Sequence, residues 1–137
     1  MEQITVPAIT DRLDEVFNFI ESAMRNAGMD DRQQNNIKIA VEEIFVNIVS
    51  YAFPTGEGEV SVSVTAVSDK LSIEFCDSGT PYDPLAKADP DISLSADERE
   101  IGGLGIYMVK KMMDDVCYRY EDGKNILIIE KYIRNGR

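Results

Sequence analysis

The stretch "DSGTPYDP", residues 77–84, follows the apolar run "LSIEF" and opens on an acid. Side chains alternate faces along a strand, so Leu71, Ile73, Phe75 and Asp77 share one face, and Ser72, Glu74 and Cys76 share the other. If the Leu-Ile-Phe face is the core, Asp77 enters the interior side at the strand's end. A carboxylate there needs a hydrogen-bond donor. It can cap the following turn, as aspartate often does, or it can receive an amino group from a ligand. The residues alone leave both roles open.

Glu43 and Asn47 are four apart in "VEEIFVNIV" and would stack on one helix face. An amide oxygen can ligate Mg²⁺, a hard cation that keeps several of its waters. A carboxylate one turn away can take a proton from an attacking hydroxyl. Together they suit phosphoryl transfer, although the same pair is common on solvated helices. In "IGGLGIYMV", Gly102, Gly103 and Gly105 precede or enter a helix. Glycines let backbone N–H groups approach phosphate oxygens, and the helix dipole favours the anion. The cluster follows no strand as a dinucleotide fingerprint would, and it lacks the Gly-Lys-Ser/Thr of a Walker loop. The chain contains no histidine. A Ser-His-Asp triad, a Cys-His pair, a histidine metal site and a phosphoacceptor histidine of its own are thereby excluded.

Several elements must position these groups. "ITVPAI" reads as a short edge strand that tolerates Pro7. "DRLDEVFNFIESAMRNAG" has apolar residues at helical spacing, with Thr10 or Asp11 to cap its start and Gly28 its end. "DDRQQNNIKIAVEEIFVNIVSYAF" reads as a longer helix with the stripe Ile37, Val41, Ile44 and Ile48, stopped by Pro54 and Gly56. In "EVSVSVTAV" the period becomes two, and with "LSIEFCD" it suggests an antiparallel hairpin with one wet face. Residues 84–101 read as an acidic, proline-punctuated loop, "GGLGIYMVKKMMDD" as a helix, and "VCYRYEDGKNILIIEKYI" as a hairpin around Asp122-Gly123. This order predicts an α+β fold: a two-layer sandwich with a mainly antiparallel sheet and helices on one face.

At 137 residues the chain suits one domain spanning 1–137, with enough length for a core. No apolar stretch is long enough to span a bilayer, and "MEQITVPAIT" lacks the pattern of a signal peptide, so a cytoplasmic protein without membrane attachment is expected. The net charge is −11, from 14 basic and 25 acidic residues, which disfavours direct nucleic-acid binding. A basic protein partner and simple solubility both fit that charge. Cys76 and Cys117 lack metal-ligand spacing and are expected to be small buried hydrophobes.

In order, a helix with Glu and Asn, a strand ending in Asp-x-Gly, an acidic loop and glycines opening a helix resemble the GHKL ATP-binding fold. Within it, "VEEIFVNIVSYAF", "DSGTPYDP" and "GGLGIYMVKKMMD" look most like the stand-alone anti-sigma factor serine kinases. The resemblance covers about Ile4 to Ile133. It implies that ATP and Mg²⁺ bind, with Asp77 accepting the adenine amino group and Gly79 letting the chain turn against the purine. It makes Asn47 a Mg²⁺ ligand, Glu43 the base toward a serine or threonine hydroxyl, and residues 84–101 a lid. It places Gly102, Gly103, Leu104 and Gly105 along the phosphates. The implied partners are an anti-sigma-factor antagonist as phosphoacceptor, a sigma factor, and possible pairing as a homodimer. Pro81 stands where many members have a second glycine, and Ile101 where sporulation-type kinases have an arginine. Those departures keep a non-catalytic ATP-binding switch in view as one alternative; a detached histidine-kinase-type ATPase domain, with its phosphoacceptor in trans, is the other.

Overall fold

The computed structural model describes residues 2–53, 57–86 and 103–133. Residues 87–101 of the expected lid, Pro54, Gly56 and Gly102 lie outside the described residues, as does the Leu104 side chain. Among these residues, five strands and three α-helices follow in the order β1 (Glu2–Pro7), α1 (Leu13–Asn26), α2 (Asp31–Asn47), β2 (Glu59–Val67), β3 (Lys70–Asp77), α3 (Gly103–Met112), β4 (Asp115–Glu121) and β5 (Lys124–Tyr132). The strands form one antiparallel sheet in the order β1-β2-β3-β5-β4, so β3 lies at the centre and β1 and β4 at the edges. The expected α+β architecture is borne out.

Alternation decides what each strand buries. Val60, Val62 and Val64 of β2, Leu71, Ile73 and Phe75 of β3, and Leu127 and Ile129 of β5 all point inward. They meet Val16, Ile20 and Met24 of α1, and Ile37, Val41, Ile44 and Phe45 of α2, in one core. Each such side chain contributes about 1.5–3 kcal/mol when removed from water.

The ends of elements are set locally. Gly28 closes α1 with φ 78°, and the bonds Gly28 N–H to Arg25 O and Met29 N–H to Met24 O form a Schellman motif. Neither Thr10 nor Asp11 caps the start of α1, contrary to expectation; they lie in a preceding 3₁₀ turn, and Arg12 at the N-cap makes no side-chain capping bond. Asp30 does cap α2, its Oδ1 accepting from Gln33 N at 2.8 Å. After Asn47 the helix widens into a π turn, Ile48–Ala52. Asp122 and Gly123 both have positive φ, 53° and 76°, as a type I′ hairpin turn requires. Lys131 of β5 donates to Met112 O at 2.6 Å, fastening the C-terminal end of α3 to the sheet.

The cysteines depart from expectation. Cys76 is half-buried and Cys117 exposed, both as free thiols. Cys76 alternates with the inward Phe75 and Asp77, so strand parity turns it outward. Among the described residues, no helix is long and apolar enough to cross a membrane.

Candidate functional site

Asp77 ends β3 on the core side and is 5% exposed. Its Oδ1 accepts from Gly79 N at 2.9 Å, which is the turn cap anticipated from the sequence. The same oxygen accepts from Asn125 Nδ2 at 2.9 Å. Among the described residues no hydrogen bond reaches Oδ2. Asp77 therefore caps its turn with one oxygen and keeps the other as an acceptor at a cleft. Burial pushes its carboxyl above the usual aspartate range, opposed by the hydrogen bonds from Asn125 and Gly79.

The cleft opens between α2 and the sheet and is partly open to solvent, with a cavity volume of about 20 Å³. Ile44, Ile48, Phe75 and Leu127 supply apolar walls, and Asn47, Asp77, Tyr82, Tyr118 and Asn125 supply polar groups. A mostly apolar pocket with a few convergent polar groups is the usual form of a small-molecule site.

Asn125 is a buried polar residue that the motifs did not point to. It stands opposite Asp77 in the β3–β5 register, one residue after the start of β5 and in the last pair of that ladder. Its signal was available: Asn125 shares strand parity with the inward Leu127 and Ile129.

Asn47 donates from Nδ2 to Glu43 O at 2.9 Å. No hydrogen bond reaches its Oδ1 among the described residues, and the residue lines the cleft shared with Asp77. One turn earlier, Glu43 meets α3. A Cβ placed on Gly105 would lie 2.0 Å from Glu43 Oε2 and 2.6 Å from its carboxyl carbon. The carboxylate thus occupies the space that glycine leaves on the first turns of α3. Asp77 and Asn47 therefore line one cleft, and Glu43, one turn before Asn47 on α2, meets Gly105 of α3. Glu43 and Asn47 are both half-buried rather than part of a fully solvated helix face.

Gly79 is needed by the protein's own backbone. A Cβ there would lie 2.5 Å from Ala52 O, and Thr80 N donates to that same carbonyl at 2.8 Å. The π turn after Asn47 is therefore docked on the turn after Asp77. Tyr51 of the π turn and Tyr82 stack with ring centroids 4.5 Å apart and planes at 16°. Gly79→Ala is expected to destabilise the fold by about 3 kcal/mol, since the clash is with backbone and cannot be relieved by a rotamer. Chemical denaturation of the purified variant checks this.

A model of the histidine kinase-like ATPase domain matches residues 6–131. A serine-protein kinase RsbW of Listeria monocytogenes is 34% identical over 112 residues, which are 78% of this chain and 71% of that protein. The crystal structure of the RsbU and RsbW domains of Rv1364c from Mycobacterium tuberculosis is similar with a TM-score of 0.64 at 13% identity, over 97% of this chain and 33% of that one. The SiaB–SiaC complex from Pseudomonas aeruginosa gives a TM-score of 0.62 at 13% identity, over 97% of this chain and 90% of that one. These two likenesses speak to the fold, and the Listeria relative to descent. The chain belongs to the histidine kinase-like ATPase family and, within it, to the group of the serine-protein kinases RsbW.

Proposed function

We propose that this chain is a protein serine kinase that binds Mg·ATP in the cleft at Asp77 and transfers its γ-phosphate to a hydroxyl of an anti-sigma-factor antagonist. The observation that carries this reading is a cleft lined by both Asp77, whose Oδ2 accepts no hydrogen bond among the described residues, and Asn47, which stands one helical turn after Glu43. Asp77 Oδ2 accepts the exocyclic amino group of the adenine. The base lies against Ile44, Ile48, Phe75 and Leu127, and the phosphates run toward the N-terminal end of α3, whose dipole favours an anion.

The Asn47 oxygen suits a hard cation, since it is an uncharged acceptor turned from its own helix backbone by the Nδ2 bond to Glu43 O. Mg²⁺ held there and by phosphate oxygens would supply neutralisation of the charge that develops on the leaving group. Glu43 takes the proton of the acceptor hydroxyl as its oxygen bonds to the γ-phosphorus. The bond from that phosphorus to the β,γ-bridging oxygen breaks, and ADP leaves. A sigma factor is the proposed second partner, held when the antagonist is phosphorylated, and a homodimer the proposed assembly in the cytoplasm.

The test is incubation with γ-labelled ATP, Mg²⁺ and the small antagonist domain from the same host. Label is expected on a serine or threonine of the antagonist. Tight ATP binding with no label on any such domain would overturn the kinase reading.

A further inference from the structure

We propose that Asn125 is a positioning residue that sets the orientation of Asp77 and so gives the site its preference for a purine carrying an amino group. This deepens, and rests on, the assignment of Asp77 as the acceptor of that amino group.

All four hydrogen-bonding places of the Asn125 amide are taken by the protein. Nδ2 donates to Asp77 Oδ1 at 2.9 Å and to Thr80 O at 3.0 Å. Oδ1 accepts from Tyr82 N at 3.1 Å and from the Tyr118 hydroxyl. The amide's orientation follows from its partners, since a backbone N–H can only donate and a backbone carbonyl can only accept. Asn125 is 5% exposed, so it lies beneath the ligand space with nothing left over for a base.

Its effect passes through Asp77. A carboxylate at a strand end can rotate about its last bond and exchange its oxygens. Here Asn125 and Gly79 both donate to Oδ1, which leaves Oδ2 as the oxygen toward the cleft. The same amide ties β5 to Thr80 and Tyr82, so the turn after Asp77 is held at both ends. Without Asn125 the carboxylate loses its side-chain restraint, and either oxygen can turn toward water. A polar site discriminates strongly only when its acceptor is fixed where the ligand's donor will be.

The experiment compares two ligands, ATP and the purine riboside triphosphate that lacks the 6-amino group, titrated with Mg²⁺ against wild type, Asn125→Ala and Asp77→Ala. Wild type is expected to prefer ATP by at least about 30-fold, on the scale of one hydrogen bond to a charged group. Asn125→Ala is expected to reduce that preference to below about fivefold, chiefly by weakening ATP, while the amino-free ligand keeps its affinity within about threefold. A merely structural role would weaken both ligands together and leave the ratio unchanged, and that result would overturn the proposal. If Asn125→Ala does not fold by circular dichroism, Asn125→Ser replaces it, because one hydroxyl cannot donate to both Asp77 and Thr80. Asp77→Ala separates the two levels. Preference retained in Asp77→Ala defeats the reading of Asp77 itself. Preference lost in Asp77→Ala but intact in the Asn125 variant defeats only the role of Asn125.

Discussion

Glu43→Gln is expected to lower the rate of phosphoryl transfer by about 10²–10⁴-fold, the usual contribution of a positioned general base, while Mg·ATP affinity changes less than about threefold. Glutamine keeps the shape and the contact with α3 but cannot take a proton from a hydroxyl. The loss should fall on kcat rather than on KM for ATP, because the group acts on the acceptor side of the reaction. Gly105→Ala provides an independent route to the same outcome. The added Cβ meets the far end of a flexible side chain, 2.0 Å from Glu43 Oε2, so the carboxylate must move while the backbone need not. Alanine is also the better helix former, by about 1 kcal/mol in a helix interior. Gly105→Ala should therefore stay folded and lose transfer. Single-turnover transfer to the antagonist, beside nucleotide titration, checks both variants. Full transfer activity in Glu43→Gln would remove Glu43 from the chemistry.

Asp77→Asn is expected to weaken ATP binding by about 100-fold. The hydrogen bond between the adenine amino group and a carboxylate is lost, at about 1.5–3 kcal/mol, and the new amide can present a second donor to a donor. The same substitution should make the ligand-free protein more stable at neutral pH. Burial holds the Asp77 carboxyl above its ordinary range in the folded chain, against the pull of Asn125 and Gly79. The folded state then keeps a proton that the unfolded chain has released. Stability must fall as pH rises from the ordinary aspartate value of 3.8 through the raised one, and the cost persists above it. Asparagine removes that cost, so the gain over wild type should be present at pH 7 and shrink toward pH 4. Thermal melts of both proteins across that range measure it. For the same reason, ATP affinity in wild type should decline as acid protonates Oδ2. A site that loses ligand and gains stability when one buried charge is removed behaves as functional sites commonly do.

Much of this arrangement is legible along the chain because parity and helical spacing are local. The run from Leu71 to Phe75 turns Asp77 inward, and the structure bears that out with a residue 5% exposed. The stripe through Ile37, Val41 and Ile44 likewise reads directly as the buried face of α2. Asn125 obeyed the same parity rule but stood beside a hairpin turn, where a polar residue invites no question. The contact of Glu43 with Gly105 joins residues on different helices, and spacing within one helix is silent about it. The π turn at Ile48–Ala52 has no periodic signature, yet it brings the Ala52 carbonyl to Thr80 and makes glycine necessary at 79. At the start of α1, Thr10 and Asp11 are good caps by type, but the chain there forms a 3₁₀ turn first. The cysteines depart from their usual burial because strand phase turns them outward.

The most direct measurement is a crystal structure with Mg²⁺ and a non-hydrolysable ATP analogue. The adenine amino nitrogen is expected at about 2.9 Å from Asp77 Oδ2, with the phosphates between Asn47 and the first turn of α3. A nucleotide bound with its base away from Asp77, or with its phosphates remote from Asn47 and Glu43, would contradict the placement from which the proposed chemistry follows.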